Sequence, residues 1–505
     1  MLRIVITITC LFLFWGTHLI PAAEAVDDPS DIQPYLERVK NRIVEYELDN
    51  GMKFIILPEK EAPVISFVTY ADVGGANEED GKTGAAHFLE HLAFKGTSKI
   101  GTKNYQQEKT FFKRLDEIHE KLAVAQEKGN TEQVQKLKAQ FEKLQAEAAE
   151  YVEQNEYGKI VQTEGGVGLN AATSADYTVY FYSFPANKLE LWMSLESERF
   201  LDPVFREFYK EQQVILEERR LRTDNSPVGK MIEEFLGTAF TTHPYQRPVI
   251  GYEEDIRNLT REDIRNFFET YYVPEKLTTA VVGNVDPEEV KRLADIYFGR
   301  FSPQPNPAKV TAVEPEQTET REINLTLNSQ PWYFEGYHRP SIQDEDHVVY
   351  EVISRLLSNG RTSRLYQSLV EEKQVALSAR GLSSFPGDKF QNLVLFYALT
   401  APNHTLEDVS NALTVEIEKL KREPVSQQEL ERVKTQMQAN LLRSLDSNQG
   451  MARRLAEYEG KTGSWENLFT ELEAITAVTA DDIQRVAKNT FTEENRTIGR
   501  IISEE

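Results

Sequence analysis

Alternation of apolar and polar residues begins at Ile43 and predicts a series of short strands. Asn50-Gly51 separates the first two of them and is a typical hairpin turn. Helical spacing of apolar residues appears between and after the strands. The predicted strands are 45–48, 52–57, 64–70, 168–172 and 178–183, and the predicted helices are 83–94, 187–199 and 206–222. This mixture of elements predicts an α+β fold.

The stretch 104–155 carries an apolar repeat that is typical of two packed helices. Its second half alternates steps of three and four residues, and its first half has a shorter stripe. The apolar positions are Leu115, Ile118, Leu122, Val134, Leu137, Phe141, Leu144 and Ala148. Gly129-Asn130-Thr131 lies between the halves as a helix stop followed by a cap. We therefore predict a long antiparallel helical hairpin, and we interpret the stripe as a packing seam.

A repeat divides the chain in two. The segment 256–264 matches 475–483 without a gap, and the same register places Thr278 on Thr497 before each terminal strand. A Pro-rich, polar linker covers 302–322. The sequence thus predicts two homologous α+β domains, 43–301 and 323–505, each a mostly antiparallel sheet packed with helices. The helical hairpin is an insertion in the first domain.

Charge excludes some classes of partner. The 505 residues contain 81 acids against 57 Lys and Arg, a formal charge of −24. Such an acidic chain is a poor candidate for binding nucleic acid or an anionic membrane surface. It is compatible with basic peptides, although a solvated acidic surface is the simpler and favoured explanation of the charge.

The first 25 residues have the pattern of a signal peptide. Arg3 precedes an apolar stretch over 4–20, and Ala23-Glu24-Ala25 forms a cleavage site. An uncleaved anchor helix is the alternative, but polar residues interrupt the stretch. The only cysteine, Cys10, lies inside it, so a metal site in the mature chain would need His and carboxylate ligands. We expect a periplasmic or secreted protein with an irregular lead-in over 26–42 and no membrane span after signal cleavage.

The candidate chemistry lies in the predicted helix 83–94, which contains the inverted zincin motif H-x-x-E-H. His87 and His91 are four residues apart, so they share one helix face and can point at one ion. Glu90 lies on the same face and can act as a base without binding the metal. A catalytic zinc ion takes neutral imidazole nitrogens or carboxylates as ligands and keeps one position open for water.

A third ligand must come from elsewhere in the chain. The predicted helix 206–222 offers Glu211 and Glu218, which are seven residues apart on one face, and Glu217, which points about 100° away. Acidic residues on helices are usually solvated, so the residues alone leave all three candidates open.

Three stretches resemble the pitrilysin/insulinase family of inverted-zincin zinc peptidases. They are HFLEHLAFKGT over 87–97, GVGLNAATS over 166–174 and VILEE over 214–218. Within the family, the chain is similar to short bacterial members related to the mitochondrial processing peptidase. The resemblance covers nearly everything from residue 43 to the end, although the second half matches mainly by pattern.

The resemblance implies one Zn²⁺ per chain with His87, His91 and Glu218 as ligands. It further implies that Glu90 is the general base and that Glu211 is a catalytic-site acid supporting the metal site. An extended peptide would add to the edge strand near 169–172, with contacts from Asn170 and Ala171. The interval between His91 and Glu218 is longer than usual in the family, and the predicted hairpin accounts for the excess.

One departure from the family concerns the partner. Members that hold substrate with their second domain carry an Arg and a Tyr where this chain has Val370 and Leu377. We therefore expect a heterodimer in which a homologous subunit supplies the Arg/Tyr pair, with a homodimer as the alternative. The expected function is a zinc metalloendopeptidase acting on peptides or unfolded proteins. The alternatives are a catalytically inactive structural or assembly subunit, and a metal-binding carrier.

Overall fold

The computed structural model describes residues 32–504, so the predicted signal peptide lies outside the described residues. Two compact units divide the chain, one ending at Arg42 and the other beginning at Ile43. Helix α1 (Ile32–Lys40) belongs to the first unit, where an irregular lead-in was predicted. Leu36 and Val39 are spaced for one helix face, a pattern too short to be recognised in the sequence.

The first sheet has six strands in the spatial order β1-β2-β6-β3-β5-β4. The strands are β1 (Val44–Glu47), β2 (Lys53–Pro58), β3 (Val64–Ala71), β4 (Val167–Thr173), β5 (Thr178–Pro185) and β6 (Leu277–Gly283). All pairs are antiparallel except β2 with β6, which are parallel. Strand β4 is an edge strand, so one side of its backbone is free of other strands.

Ten α-helices follow α1 in the first half of the chain, among the described residues. They are α2 (Ala85–Leu92), α3 (Tyr105–Glu127), α4 (Thr131–Ala149), α5 (Glu156–Thr163), α6 (Leu189–Leu201), α7 (Phe208–Arg219), α8 (Pro227–Ala239), α9 (Glu253–Asn258), α10 (Arg261–Tyr271) and α11 (Pro287–Tyr297). Helices α3 and α4 form the predicted hairpin, and the Asn130 side chain caps α4 by accepting a hydrogen bond from the N–H of Gln133.

The second sheet has five strands in the order β7-β11-β8-β10-β9. The strands are β7 (Arg321–Leu327), β8 (Trp332–Arg339), β9 (Ala376–Phe385), β10 (Asn392–Thr400) and β11 (Arg496–Ser503). The helices are α12 (His347–Ser358), α13 (Leu406–Arg422), α14 (Gln427–Leu445), α15 (Asn448–Thr462), α16 (Asn467–Ala477) and α17 (Ala480–Thr490). Only β7 and β11 pair in parallel in this sheet, as β2 and β6 do in the first.

The repeat seen in the sequence is also a repeat of structure. Strands β2, β6, β3, β5 and β4 occupy the same order as β7, β11, β8, β10 and β9. Thr260 and Asp263 form a capping box at the start of α10, and Thr479 and Asp482 form the same box at α17. The predicted α+β fold with two homologous, mostly antiparallel sheets is confirmed.

Each sheet has one face covered by a helix from the other half of the chain. Helix α15 packs on β3 and β6 of the first sheet, and α8 packs on β7 and β11 of the second. Glycines permit the close approach: a Cβ on Gly460 would lie 2.0 Å from the ring of Tyr70, and one on Gly499 would lie 2.7 Å from Met231. The other face of each sheet packs on helices of its own half. Both sheets are therefore buried on two faces.

Within the span 32–504, no helix has the length and apolar character needed to cross a membrane.

Candidate metal site and peptide cleft

Helix α2, which carries the H-x-x-E-H motif, is held firmly at its start. Its buried face is apolar, and Gly84 precedes it with φ of 86°, a left-handed conformation that favours glycine. The buried carboxylate of Glu78 accepts hydrogen bonds from the N–H groups of Gly84 at 2.9 Å and Ala86 at 2.8 Å. These are N–H groups that a helix leaves without internal partners, so Glu78 fixes the beginning of α2.

The chain that follows α2 is held by a buried arginine. Arg206 donates to the backbone oxygens of Lys95, Thr97 and Ile100, and its Nε lies 2.8 Å from Glu108 of the hairpin helix α3. Both charged side chains of this pair are almost fully buried. Because the arginine and its carboxylate satisfy each other, the turn after α2 is tied to the base of the hairpin.

Helix α7 brings the third acidic residue to the motif. Phe208 at its start stacks on Phe88 of α2 with ring centres 4.6 Å apart. Ten residues further along the helix, Oε2 of Glu218 lies 3.8 Å from Nε2 of His87 and 3.5 Å from Nε2 of His91. Among residues 32–504, these three are the group of His and carboxylate ligands close enough to hold one ion, with ligand atoms within 4.8 Å of each other.

These separations fit a zinc ion. A tetrahedral site with bonds of about 2.0–2.2 Å keeps its ligand atoms about 3.3–3.6 Å apart. The two contacts of the Glu218 oxygen, at 3.8 and 3.5 Å, are close to that spacing. Two imidazoles and one carboxylate are also ligand types that zinc takes in sites with a position left open for water.

The electrostatics of the cluster favour a positive charge at its centre. Burial lowers the pKa of His87 to about 4, and the neighbouring His91 acts in the same direction. Burial would lower the pKa of His91 too, but its hydrogen bonds to Glu211 and Glu218 outweigh this and raise it to about 9. His91 also holds the pKa of Glu218 below its usual range. A cation bound among these side chains would replace the proton that the carboxylates attract to His91.

Glu211 supports His91 from behind. Its Oε2 lies 3.4 Å from Nδ1 of His91, the ring nitrogen that faces away from Glu218. Its other oxygen lies 2.5 Å from Nζ of Lys95. Burial opposes ionisation of Glu211, but these two contacts hold its pKa below the usual value. A carboxylate in this position orients the imidazole and fixes its tautomer.

Glu90 lies beside the cluster but is not one of the three residues whose ligand atoms converge. Its Oε2 accepts a hydrogen bond of 2.6 Å from the hydroxyl of Thr173, at the end of the edge strand β4. Burial raises the pKa of Glu90. Thr173 therefore fixes the direction of the carboxylate that the sequence singles out as a base.

A cleft of about 580 Å³ runs between the cluster and the edge strand. Its lining residues include His87, His91 and Glu218, together with Glu90, Asn170–Thr173 on β4 and Arg222, which follows α7. The Asn170 side chain is exposed, and its Oδ1 accepts a hydrogen bond of 2.9 Å from the N–H of Ala171. The structure thus places both residues beside the cluster, with the Ala171 N–H already occupied.

Several residues of this site escaped the sequence analysis. Thr173, Lys95 and Glu78 act through contacts between separate elements, so local spacing gives no signal for them. Arg222 contacts Glu218 one turn earlier in the same helical segment, a spacing that the sequence contains but that was not singled out. Val370 and Leu377 stand where some members of the family carry the Arg/Tyr pair. Val370 packs against the core of the second half, and Leu377 on β9 is 50% exposed. Neither side chain can donate a hydrogen bond.

The duplicated fold and the H-x-x-E-H helix together define a class, the two-domain proteins built like inverted-zincin metallopeptidases. The chain belongs to peptidase family M16. The model for insulinase (peptidase family M16) matches residues 55–131 and 139–253, and the model for the peptidase M16 inactive domain matches 258–437. The predicted membership of the pitrilysin/insulinase family is confirmed.

Two relatives illustrate the range of the family. The zinc protease PqqE of Helicobacter pylori is 31% identical over 463 residues, covering 89% of this chain and 90% of the relative. A probable mitochondrial-processing peptidase subunit beta of Arabidopsis thaliana is 23% identical, covering 90% of this chain and 77% of the relative. A peptidase-like function is thus supported at the level of the family.

Solved structures share the fold. A protease from Helicobacter pylori is similar with a TM-score of 0.76 and 28% identity, over 91% of this chain and 99% of that one. The periplasmic protease PqqL from Escherichia coli is similar with a TM-score of 0.67 and 18% identity. That likeness covers 91% of this chain but 47% of PqqL, so PqqL contains about as much chain again.

Proposed function

We propose that the chain is a zinc metalloendopeptidase that hydrolyses peptides or unfolded proteins bound in extended form beside the metal. One observation carries the proposal: His87, His91 and Glu218 converge from two helices at separations that suit one zinc ion. The names of relatives such as the zinc protease PqqE point in the same direction.

In this proposal one Zn²⁺ per chain is held by His87, His91 and Glu218. A zinc ion there would act as a Lewis acid and lower the pKa of water. Glu90 would take a proton from the attacking water and later return it to the leaving nitrogen, and the Thr173 hydroxyl would hold its carboxylate in place. Glu211 would orient His91, while its contact with Lys95 keeps it ionised.

Substrate would pair with the free side of β4. Backbone pairing recognises an extended peptide with little regard for its side chains, so it suits unfolded substrates. The Ala171 N–H is at present covered by the Asn170 side chain. A bound peptide would therefore displace the Asn170 oxygen from that N–H, which leaves the Asn170 amide able to contact the peptide.

The division of labour between the halves is part of the proposal. Segment 43–301 would be the catalytic domain, whereas 323–505 lacks an H-x-x-E-H motif and would be an inactive homologous domain. The family model matched at 258–437 carries the name inactive domain, and it lies outside the part that holds the motif.

A second chain would complete the substrate chamber. PqqL contains about twice the length of chain matched here, and a relative from Arabidopsis thaliana is named as a subunit. Because Val370 and Leu377 are apolar and cannot donate hydrogen bonds, this chain offers no Arg/Tyr pair at these positions. We propose a heterodimer with a homologous subunit that supplies the pair, with a homodimer as the alternative. The signal-peptide pattern supports a periplasmic or secreted location.

The test is cleavage of denatured casein by the protein purified from its native source together with whatever co-elutes. We expect cleavage that a chelator abolishes and added zinc restores. Glu90→Gln introduced at the native locus should retain one zinc and lose about 10²–10⁴ in rate.

Two outcomes would contradict the proposal. A zinc-loaded wild-type preparation that cleaves nothing would favour an inactive structural subunit or a metal carrier. A Glu90→Gln protein that arrives without metal would make Glu90 a ligand instead of the base.

A further inference from the structure

Arg222 stands apart from the neighbouring arginines. It lies in a turn of π-helix, Arg220–Asp224, that continues α7 beyond the metal cluster. Such turns often occur at functional sites. Of the residues that line the described cleft, Arg222 is the one Lys or Arg.

One end of the Arg222 side chain is anchored at the metal cluster. Its Nη1 lies 2.7 Å from Oε1 of Glu218, the oxygen that does not face the two histidines. The rest of the side chain is open, with 73% of it exposed. Within residues 32–504, Glu218 is its one charged or hydrogen-bonded partner. A guanidinium has five N–H donors, so most of those on Arg222 remain available to a ligand in the cleft.

The adjacent arginines have structural roles that Arg222 lacks. Arg219 is buried and donates to the carboxylate of Glu233 and to the backbone oxygen of Gly251. Arg220 is exposed and pairs with Glu217, which is exposed as well. Arg222 alone among the three combines an anchor in the site with free donors.

A cation at this position would assist peptide hydrolysis in addition to the zinc ion of the proposed function. Glu90, Glu211 and Glu218 place three carboxylates around the site. When water attacks the scissile carbonyl, negative charge develops on the carbonyl oxygen, and these carboxylates would repel it. Donors already held in position stabilise such a charge without reorganising during the reaction.

We propose that Arg222 is a catalytic residue that stabilises the oxyanion in this cleft; the inference rests on the proposed function. The water oxygen bonds to the carbonyl carbon while Glu90 takes its proton. The carbonyl π electrons move onto the oxygen, which accepts hydrogen bonds from Arg222. When the C–N bond breaks, that pair reforms the carbonyl, and the proton passes to the leaving nitrogen. The cation comes from the same chain as the metal ligands, so a homodimer would have it too.

The test compares Arg222→Met with Arg220→Met, a matched change at the other exposed arginine of the same turn. Because one oxyanion donor is worth about 10²–10³ in rate, Arg222→Met should lose about that factor in kcat with little change in KM. Its zinc content should remain one per chain, and Arg222→Lys, which keeps the charge, should recover part of the rate. Arg220→Met should behave as wild type.

A binding measurement separates charge stabilisation from a general structural effect. A peptide phosphonamidate carries a tetrahedral anionic group, and its affinity should fall in Arg222→Met in proportion to kcat. The affinity of the uncleaved peptide of the same sequence, measured in a Glu90→Gln background, should not change with Arg222→Met.

Three results would overturn the inference. Full activity of Arg222→Met would show that the side chain is not used. Loss of zinc in Arg222→Met would show that Arg222 only positions Glu218. Failure of the zinc-loaded wild type to cleave any peptide would contradict the proposed function, and this inference with it. The two failures are distinguishable, because the first is seen in the wild type and the others only in the Arg222→Met variant.

Discussion

Glu217 and Glu218 are neighbours in the sequence but have opposite environments. The Glu217 side chain is 54% exposed and pairs with Arg220, while the Glu218 side chain is 19% exposed and faces both histidines. The 100° step between consecutive helical residues is the cause, because it turns one carboxylate into the site and the other out of it.

This pair gives the sharpest test of the metal assignment. We expect Glu218→Gln to lose stoichiometric zinc, since a neutral amide cannot replace the carboxylate ligand, and Glu217→Gln to keep it. Metal analysis of the two purified variants is the measurement. Zinc retained in Glu218→Gln but lost in Glu217→Gln would reverse the assignment.

The residues that a motif names were easier to predict than those that support them. His87 and His91 follow from helical spacing alone, but the choice of Glu218 needed the family resemblance. Thr173 and Lys95 reach the site only through the fold, because they approach the motif from β4 and from the turn after α2. No local pattern marks a threonine that will meet a glutamate 83 positions away.

The helical hairpin has two parts with different roles. At its base, Phe111 and Leu115 belong to the core of the first half, and Glu108 pairs with Arg206. Further out, His119 and Phe141 pack on Tyr209 of α7. Beyond them α3 and α4 contact mainly each other.

We expect that replacing 121–139 with a short Gly/Ser loop leaves a folded protein that binds zinc. The matched change at the base, Phe111→Ala, should lower the free energy of unfolding by about 3–5 kcal/mol, because it opens a cavity in the core. Thermal unfolding and zinc content of both variants are the measurements. Loss of zinc in the shortened variant would show that the outer hairpin also supports the site.

Elements were predicted well where their period was clear. The predicted hairpin agrees with the structure, because local apolar spacing and the stop between its halves determine it. The linker was predicted only as polar chain, yet Glu314 within it is buried and accepts hydrogen bonds from the N–H groups of 241–243. Helices α8 and α15 are exchanged between the halves, since each covers the sheet of the other half. This exchange could not be predicted, because an apolar helix face does not indicate which sheet it will cover.

The proposed substrate chamber requires a second chain. We expect the protein, purified from its native source at low concentration, to elute with a homologous protein that has the Arg/Tyr pair and lacks a complete H-x-x-E-H motif. Identification of the co-eluting protein by mass spectrometry is the measurement. A fully active homodimer with no second protein would decide for the alternative.

The exchanged helices also determine the order in which the chain can fold as it is synthesised. The first sheet is complete in sequence at β6, but the helix that covers its second face, α15, begins at Asn448. Until that helix has left the ribosome, the faces of β3 and β6 that meet it stay exposed to water. Such late, long-range closure is slow, and it leaves the growing chain prone to aggregation. The folding of the first half is therefore coupled to synthesis of the second half, because the last surface of the first sheet to be covered waits for a helix made late.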